Sequence, residues 1–117
     1  MSFDRGNLQF NRIFENYVND IVINCALLGK NVIITNTTGR GIAVLQYVLI
    51  CATPGNAITW EDSDGVLLTG VMSFGEAGGM VAGYSPVGHF IVPEGKHLVM
   101  NLGAPAQVSG HLTYSLI

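Results

Sequence analysis

The stretch QVSGHLTYSLI, residues 107–117, alternates apolar and polar side chains, and that pattern constrains the fold more than any other feature of the chain. Val108, Leu112, Tyr114 and Leu116 fall on one side, and Gln107, Ser109, His111, Thr113 and Ser115 on the other. A period of two sends successive side chains to opposite faces, so the segment predicts a strand with one buried and one polar face. KHLVMNL (96–102) repeats the pattern, with Leu98, Met100 and Leu102 set against His97, Val99 and Asn101.

The rest of the chain after Asp20 reads the same way. DIVINCALL (20–28) and NVIITN (31–36) are rich in β-branched residues, with Gly29-Lys30 as a tight turn between them. NTTGRG (36–41) is a loop by composition. IAVLQYVLICAT (42–53) is apolar on both faces for part of its length, which predicts a central strand. AITWED (57–62) follows, and DSDG (62–65) reads as a hairpin turn into VLLTGVMSF (66–74). About eight strands with Gly, Pro or Asn bends every eight to twelve positions predict an all-β protein. The expected architecture is an antiparallel β-sandwich, jelly-roll-like.

Residues 1–20 differ from this pattern. Phe3, Phe10, Phe14 and Tyr17 stand among charges and asparagines, with Leu8 and Ile13. They predict an amino-terminal arm or attachment segment (1–20) ahead of the sandwich domain (21–117). A first strand plus a short helix of the same core is the competing reading.

Charge narrows the function. Apolar residues make up 49% of the chain and charged ones only 11%, against roughly 25% charged in an average soluble domain. From Gly41 to the end there are six charges: Glu61, Asp62, Asp64, Glu76, Glu94 and Lys96. Either identical neighbours cover part of this surface, or it is a neutral surface hydrated through Thr, Ser, Asn and Gly. A net charge of −3 without a basic cluster argues against nucleic acid. GIAVLQYVLICA (41–52) falls short of the roughly 20 residues of a membrane span. The opening residues lack the apolar run of a signal peptide, so use without secretion is expected.

The motifs of catalysis fail on spacing. Gly29-Lys30 and Gly95-Lys96 lack the upstream glycine of a phosphate loop, and GEAGGMVAG (75–83) is no dinucleotide fingerprint. Ser73 and Ser85 miss the nucleophile elbow. The acidic run EDSDG (61–65) opens like a calcium loop, but counting from Asp62 the twelfth position is Ser73. His89, His97 and His111 stand eight and fourteen residues apart and form no local metal-ligand pair. Cys25 and Cys51 read as buried thiols, a disulfide or metal role being the alternative. No catalytic residue, cofactor or metal ligand is therefore predicted. Trp60, Tyr84 and Phe90 could stack on sugar rings if exposed. Trp60 reads as core and Tyr84 as surface.

Gly88-His89-Phe90, Gly95, Leu98 and Asn101-Leu102, followed by Val108, Gly110, Leu112 and Tyr114, give the carboxy-terminal half a specific look. It resembles the small β-sandwich structural proteins of tailed bacteriophages. The resemblance implies a virion protein without enzymatic activity, assembled in the host cytoplasm. It would be a capsid decoration (cement) protein that oligomerises, as a homotrimer, and stabilises the shell. A tail or fibre subunit, or a carbohydrate-binding β-sandwich module, are the alternatives. Implied partners are the protein itself and the major capsid or another virion protein. Phe3, Phe10, Phe14, Tyr17 and Tyr84 are the candidate partner-binding residues.

Overall fold

The computed structural model describes residues 18–52 and 55–117. These form nine strands in two antiparallel sheets. The five-stranded sheet holds β1 (Val18–Cys25), β9 (Val108–Leu116), β3 (Ile42–Cys51) and β6 (Gly79–Ala82) in that order, with β7 (Phe90–Val92) also on β3. The four-stranded sheet runs β2 (Gly29–Ile34), β8 (Leu98–Leu102), β4 (Asn56–Asp62) and β5 (Met72–Phe74). The chain crosses between the sheets at β1–β2, β2–β3, β3–β4, β5–β6, β7–β8 and β8–β9. The described residues contain no helix, and so none long and apolar enough to cross a membrane.

Alternation explains the core. Leu98, Met100 and Leu102 of β8 and Val108 and Leu112 of β9 are all at most 1% exposed. They meet Ile42, Val44, Leu49, Ile58 and Trp60 from the neighbouring strands. Each such side chain contributes roughly 1.5–3 kcal/mol by leaving water, so the interleaved inner faces hold the two sheets together. Trp60 joins them directly. Its ring lies edge-on to Tyr47 of β3, centroids 5.5 Å apart, and beside Phe90 of β7 at 5.9 Å.

Three expectations change. Residues 18–20, assigned above to the arm, are the first three of β1, so the sandwich includes them. Gly29 and Lys30 belong to β2 and not to a hairpin turn, because β1 and β2 lie in different sheets. The third change is in the segment after Asp62. The predicted turn forms, with Gly65 N–H donating to the Asp62 carbonyl. Val66–Val71 does not become a regular strand, because a side chain takes a backbone partner. Trp60 N–H donates to Thr69 Oγ1 at 3.1 Å, and Leu68 and Thr69 N–H both reach the Trp60 carbonyl. The ladder resumes only at Met72–Phe74, opposite Asn56–Ile58.

Candidate interaction surfaces

The outer face of the five-stranded sheet is the most unusual surface among the described residues. The alternation that buries Ile23 and half-buries Ile21 turns Asp20, Val22 and Asn24 outward on β1. Register then sets Val22 beside His111 of β9, His111 beside Val48 of β3, and Val48 beside Val81 of β6. Val22 is 75% exposed, Val81 72% and Ile50 52%. Asp20 is the one charged residue on the outward positions of these strands. The face is mixed, apolar at Val22, Val48, Ile50 and Val81 and polar but uncharged at Asn24, Gln46, Ser109, His111, Thr113 and Ser115.

A shallow open hollow of about 320 Å³ sits on this face, lined by Asp20, Ile21, Val22, Gln46, His111 and Thr113. Its polar groups form a chain. Gln46 Nε2 donates to Thr113 Oγ1 at 3.1 Å, and Thr113 Oγ1 donates to Asp20 Oδ1 at 2.5 Å. Thr113 falls on the polar side of the alternation, yet it is only 6% exposed, its hydroxyl engaged by neighbours on both flanking strands.

A second hollow, about 210 Å³, lies at the end of the same sheet where β1 starts. Val18, Leu45, Tyr84, Val87, Ile91 and Ile117 are among the residues that line it. Tyr84, a predicted partner-binding residue, is 56% exposed here. Phe3, Phe10, Phe14 and Tyr17 lie outside the described residues. Trp60 is fully buried and cannot stack on a sugar, while Phe90 is half-buried against Tyr47 and Trp60.

The histidines are dispersed. His97 Nδ1 accepts from Asn36 N–H at 2.8 Å, which ties the loop before β8 to the one after β2. His89 Nε2 donates to the Gly83 carbonyl, and its ring stands edge-on to Tyr47 at 6.1 Å. His111 lies on the sheet face. Among the described residues no group of three His, Cys, Asp or Glu could hold a metal ion.

On the other sheet, Glu61 of β4 is 3% exposed beneath Lys30 of β2, whose Nζ lies 2.7 Å from Glu61 Oε1. That contact is an ion pair without hydrogen-bond alignment, while Asn101 Nδ2 reaches Oε2 at 3.4 Å.

Val22, Ile50 and Val81 were not singled out from sequence. Val22 and Ile50 lie within apolar runs, where period two cannot tell which side chains face water. Val81 lies in the glycine-rich stretch GEAGGMVAG (75–83), which has no strand alternation. No family model matches the chain, and neither the curated proteins nor the solved structures yield a match.

Proposed function

We propose that the protein is a non-enzymatic structural subunit of a tailed-bacteriophage virion, a capsid decoration protein that assembles as a closed homo-oligomer, a trimer. The observation that carries this reading is the exposure of Val22, Ile50 and Val81 on the outer face of the five-stranded sheet, where Asp20 is the one charge among otherwise neutral residues. A subunit that buries this face against copies of itself needs few surface charges, and the composition has few. The strand orders β1-β9-β3-β6 and β2-β8-β4-β5, with the chain passing repeatedly between the sheets, support a jelly roll. Capsid proteins and lectins both use that architecture. In this mechanism the sheet faces form the oligomer, and the aromatic arm with Tyr84 attaches it to the shell protein. The area buried between subunits then resists internal pressure. A tail or fibre location would use the same contacts.

A carbohydrate-binding module is the second reading, favoured by the hollow that gathers Asp20, Gln46, His111 and Thr113. Light scattering of the recombinant protein at micromolar concentration separates the two. A discrete oligomer that Val22→Lys with Val81→Lys converts to monomer supports assembly. A monomer that binds glycan, and does so less after Asp20→Ala, would replace the assembly reading.

A further inference from the structure

Of the strands at sheet edges among the described residues, β1 is the longest, and little in it discourages a further strand. β9 pairs with it on one side over eight consecutive residues without a bulge, and among the described residues no strand lies on the other. It holds no Lys, Arg or Pro, and Lys, Pro and bulges are what natural edges use as protection. The remaining edges are guarded or short. β2 carries Lys30 and a register shift between Val32 and Ile34, while β5, β6 and β7 have three, four and three residues.

The neighbouring ladder sets the direction of the spare backbone groups. Gly41 N–H donates to the Ile117 carbonyl at 3.1 Å, Ile117 N–H to the Gly41 carbonyl at 2.9 Å, and Ala52 N–H to the Gln107 carbonyl at 2.9 Å. The register shift between Val44 and Gln46 is on β3, so the alternation of β9 runs unbroken between those ends. Odd-numbered residues of β9 thus bond to β3, and Val108, Gly110, Leu112 and Tyr114 bond to β1. Their partners there are Cys25, Ile23, Ile21 and Asn19. The N–H and C=O groups of Asp20, Val22 and Asn24 therefore point away from the sheet.

We propose that this edge pairs with β1 of a second copy, antiparallel about a two-fold axis at Val22. In that register Val22 faces Val22 of the second copy, and Asp20 faces its Asn24, twice by symmetry. The side chains suit each other. Thr113 donates to Asp20 Oδ1, so Oδ2 is left to accept. Gln107 Nε2 donates to Asn24 Oδ1, so Nδ2 is left to donate. An axis at Asp20 would oppose two carboxylates, and an axis at Ile21 or Ile23 would set Asp20 or Asn24 against Val22. The contact uses the strand edge and not the sheet face. It does not rest on the virion reading, and it joins two copies whether or not the faces assemble.

The test combines sedimentation equilibrium with amide exchange on the full chain, from micromolar to millimolar concentration. The Asp20, Val22 and Asn24 amides should exchange more slowly as concentration rises, while the Leu112 amide reports that the core is unchanged. Val22→Pro removes an outward N–H and no bond to β9, and should abolish the contact. Asn24→Asp should raise the dissociation constant about tenfold, because carboxylates then meet on both sides of the axis. Adding Asp20→Asn should restore it, since the pair is then only exchanged. Val81→Lys, on β6 at the far side of the sheet, should leave edge protection intact while it disrupts a sheet-face oligomer, so the two contacts fail separately. Edge amides that exchange fast at every concentration, or slowly where the protein sediments as a monomer, would overturn the proposal. So would an exchanged pair that restores nothing.

Discussion

Gly110 of β9 lies so close against Val48 of β3 that a Cβ on the glycine would overlap the Val48 carbonyl oxygen. Its φ of 157° is also one that L side chains rarely adopt. The contact is at the centre of the five-stranded sheet, where β9 pairs with both β1 and β3. Any side chain there must push the two strands apart. Gly110→Ala should therefore cost about 3 kcal/mol, the upper end of overpacking. Gly83→Ala, whose Cβ would meet nothing within 4 Å, should stay within about 0.5 kcal/mol. Urea unfolding midpoints compare the two, and equal midpoints would remove the close approach as the reason for glycine.

That glycine shows what sequence could and could not reveal. The alternation predicted buried faces from Leu98, Met100, Leu102, Val108, Leu112, Tyr114 and Leu116; the first five are buried and the last two half-buried, while Val99 on the opposite side of β8 is buried as well. IAVLQYVLICAT (42–53) read as apolar on both faces for part of its length, and Ile42 to Leu45 are buried on both. Most strands followed from local pattern, whereas β6, β7 and the strand partners did not. Which sheet receives β1 or β2 depends on contacts far apart in sequence, and the Gly29-Lys30 hairpin failed for that reason. Val66–Val71 looked like a strand because propensity cannot register that Thr69 Oγ1 will occupy Trp60 N–H. The grouping of exposed apolar residues on the outer face was illegible too. Val22 and Val81 become neighbours of His111 and Val48 only through pairing of β1, β9, β3 and β6.

Lys30 and Glu61 provide a test of the second sheet. Lys30 keeps 58% of its side chain in water, whereas the Glu61 side chain is 4% exposed. Removing the lysine leaves a buried carboxylate with one long hydrogen bond, from Asn101. A fully buried pair broken this way loses ~3–5 kcal/mol, and the wet lysine end scales that down. Lys30→Met should cost about 1–2 kcal/mol at neutral pH. Lys30→Met with Glu61→Gln should recover part of that loss, because no charge is then stranded. A double-mutant cycle with no coupling would show that the pair contributes nothing.

His97 fastens three loops. Its ring accepts from Asn36 N–H at 2.8 Å, and its backbone N–H, which an alanine would keep, donates to Ser63 Oγ at 3.1 Å. Asn36 in turn holds Arg40 and Lys96 carbonyls through Nδ2, at 2.7 and 3.2 Å. Asn36 is 5% exposed, so its amide has no ready substitute for the imidazole. His97→Ala should cost about 1–3 kcal/mol, the range for a stranded buried donor. It should also speed amide exchange at Asn36 and Thr38 well before it affects Leu112. Uniform acceleration across the chain would mean that the loss is global and that the histidine is no local clasp.

Cys25 and Cys51 flank Val108 from β1 and β3 respectively. Two strand spacings of ~4.8 Å separate their Cα atoms by roughly 9.6 Å, beyond the ~7 Å that a disulfide spans. The free thiols therefore persist, and burial pushes both above their ordinary value of 9.0. Burial likewise pushes the Tyr47 phenol above 10.0, with the Trp60 side chain opposing. Each group is held neutral longer in the folded chain than in the unfolded one. The stability this contributes is fully present below the unfolded value and is lost as pH climbs through the folded one. Unfolding free energy should thus be level in these groups up to about pH 9 and fall above it. Cys51→Val, close in volume, should flatten the first part of that fall. Urea titrations from neutral pH to pH ~11 measure it, and an unchanged decline in the valine variant would assign the alkaline loss to other groups.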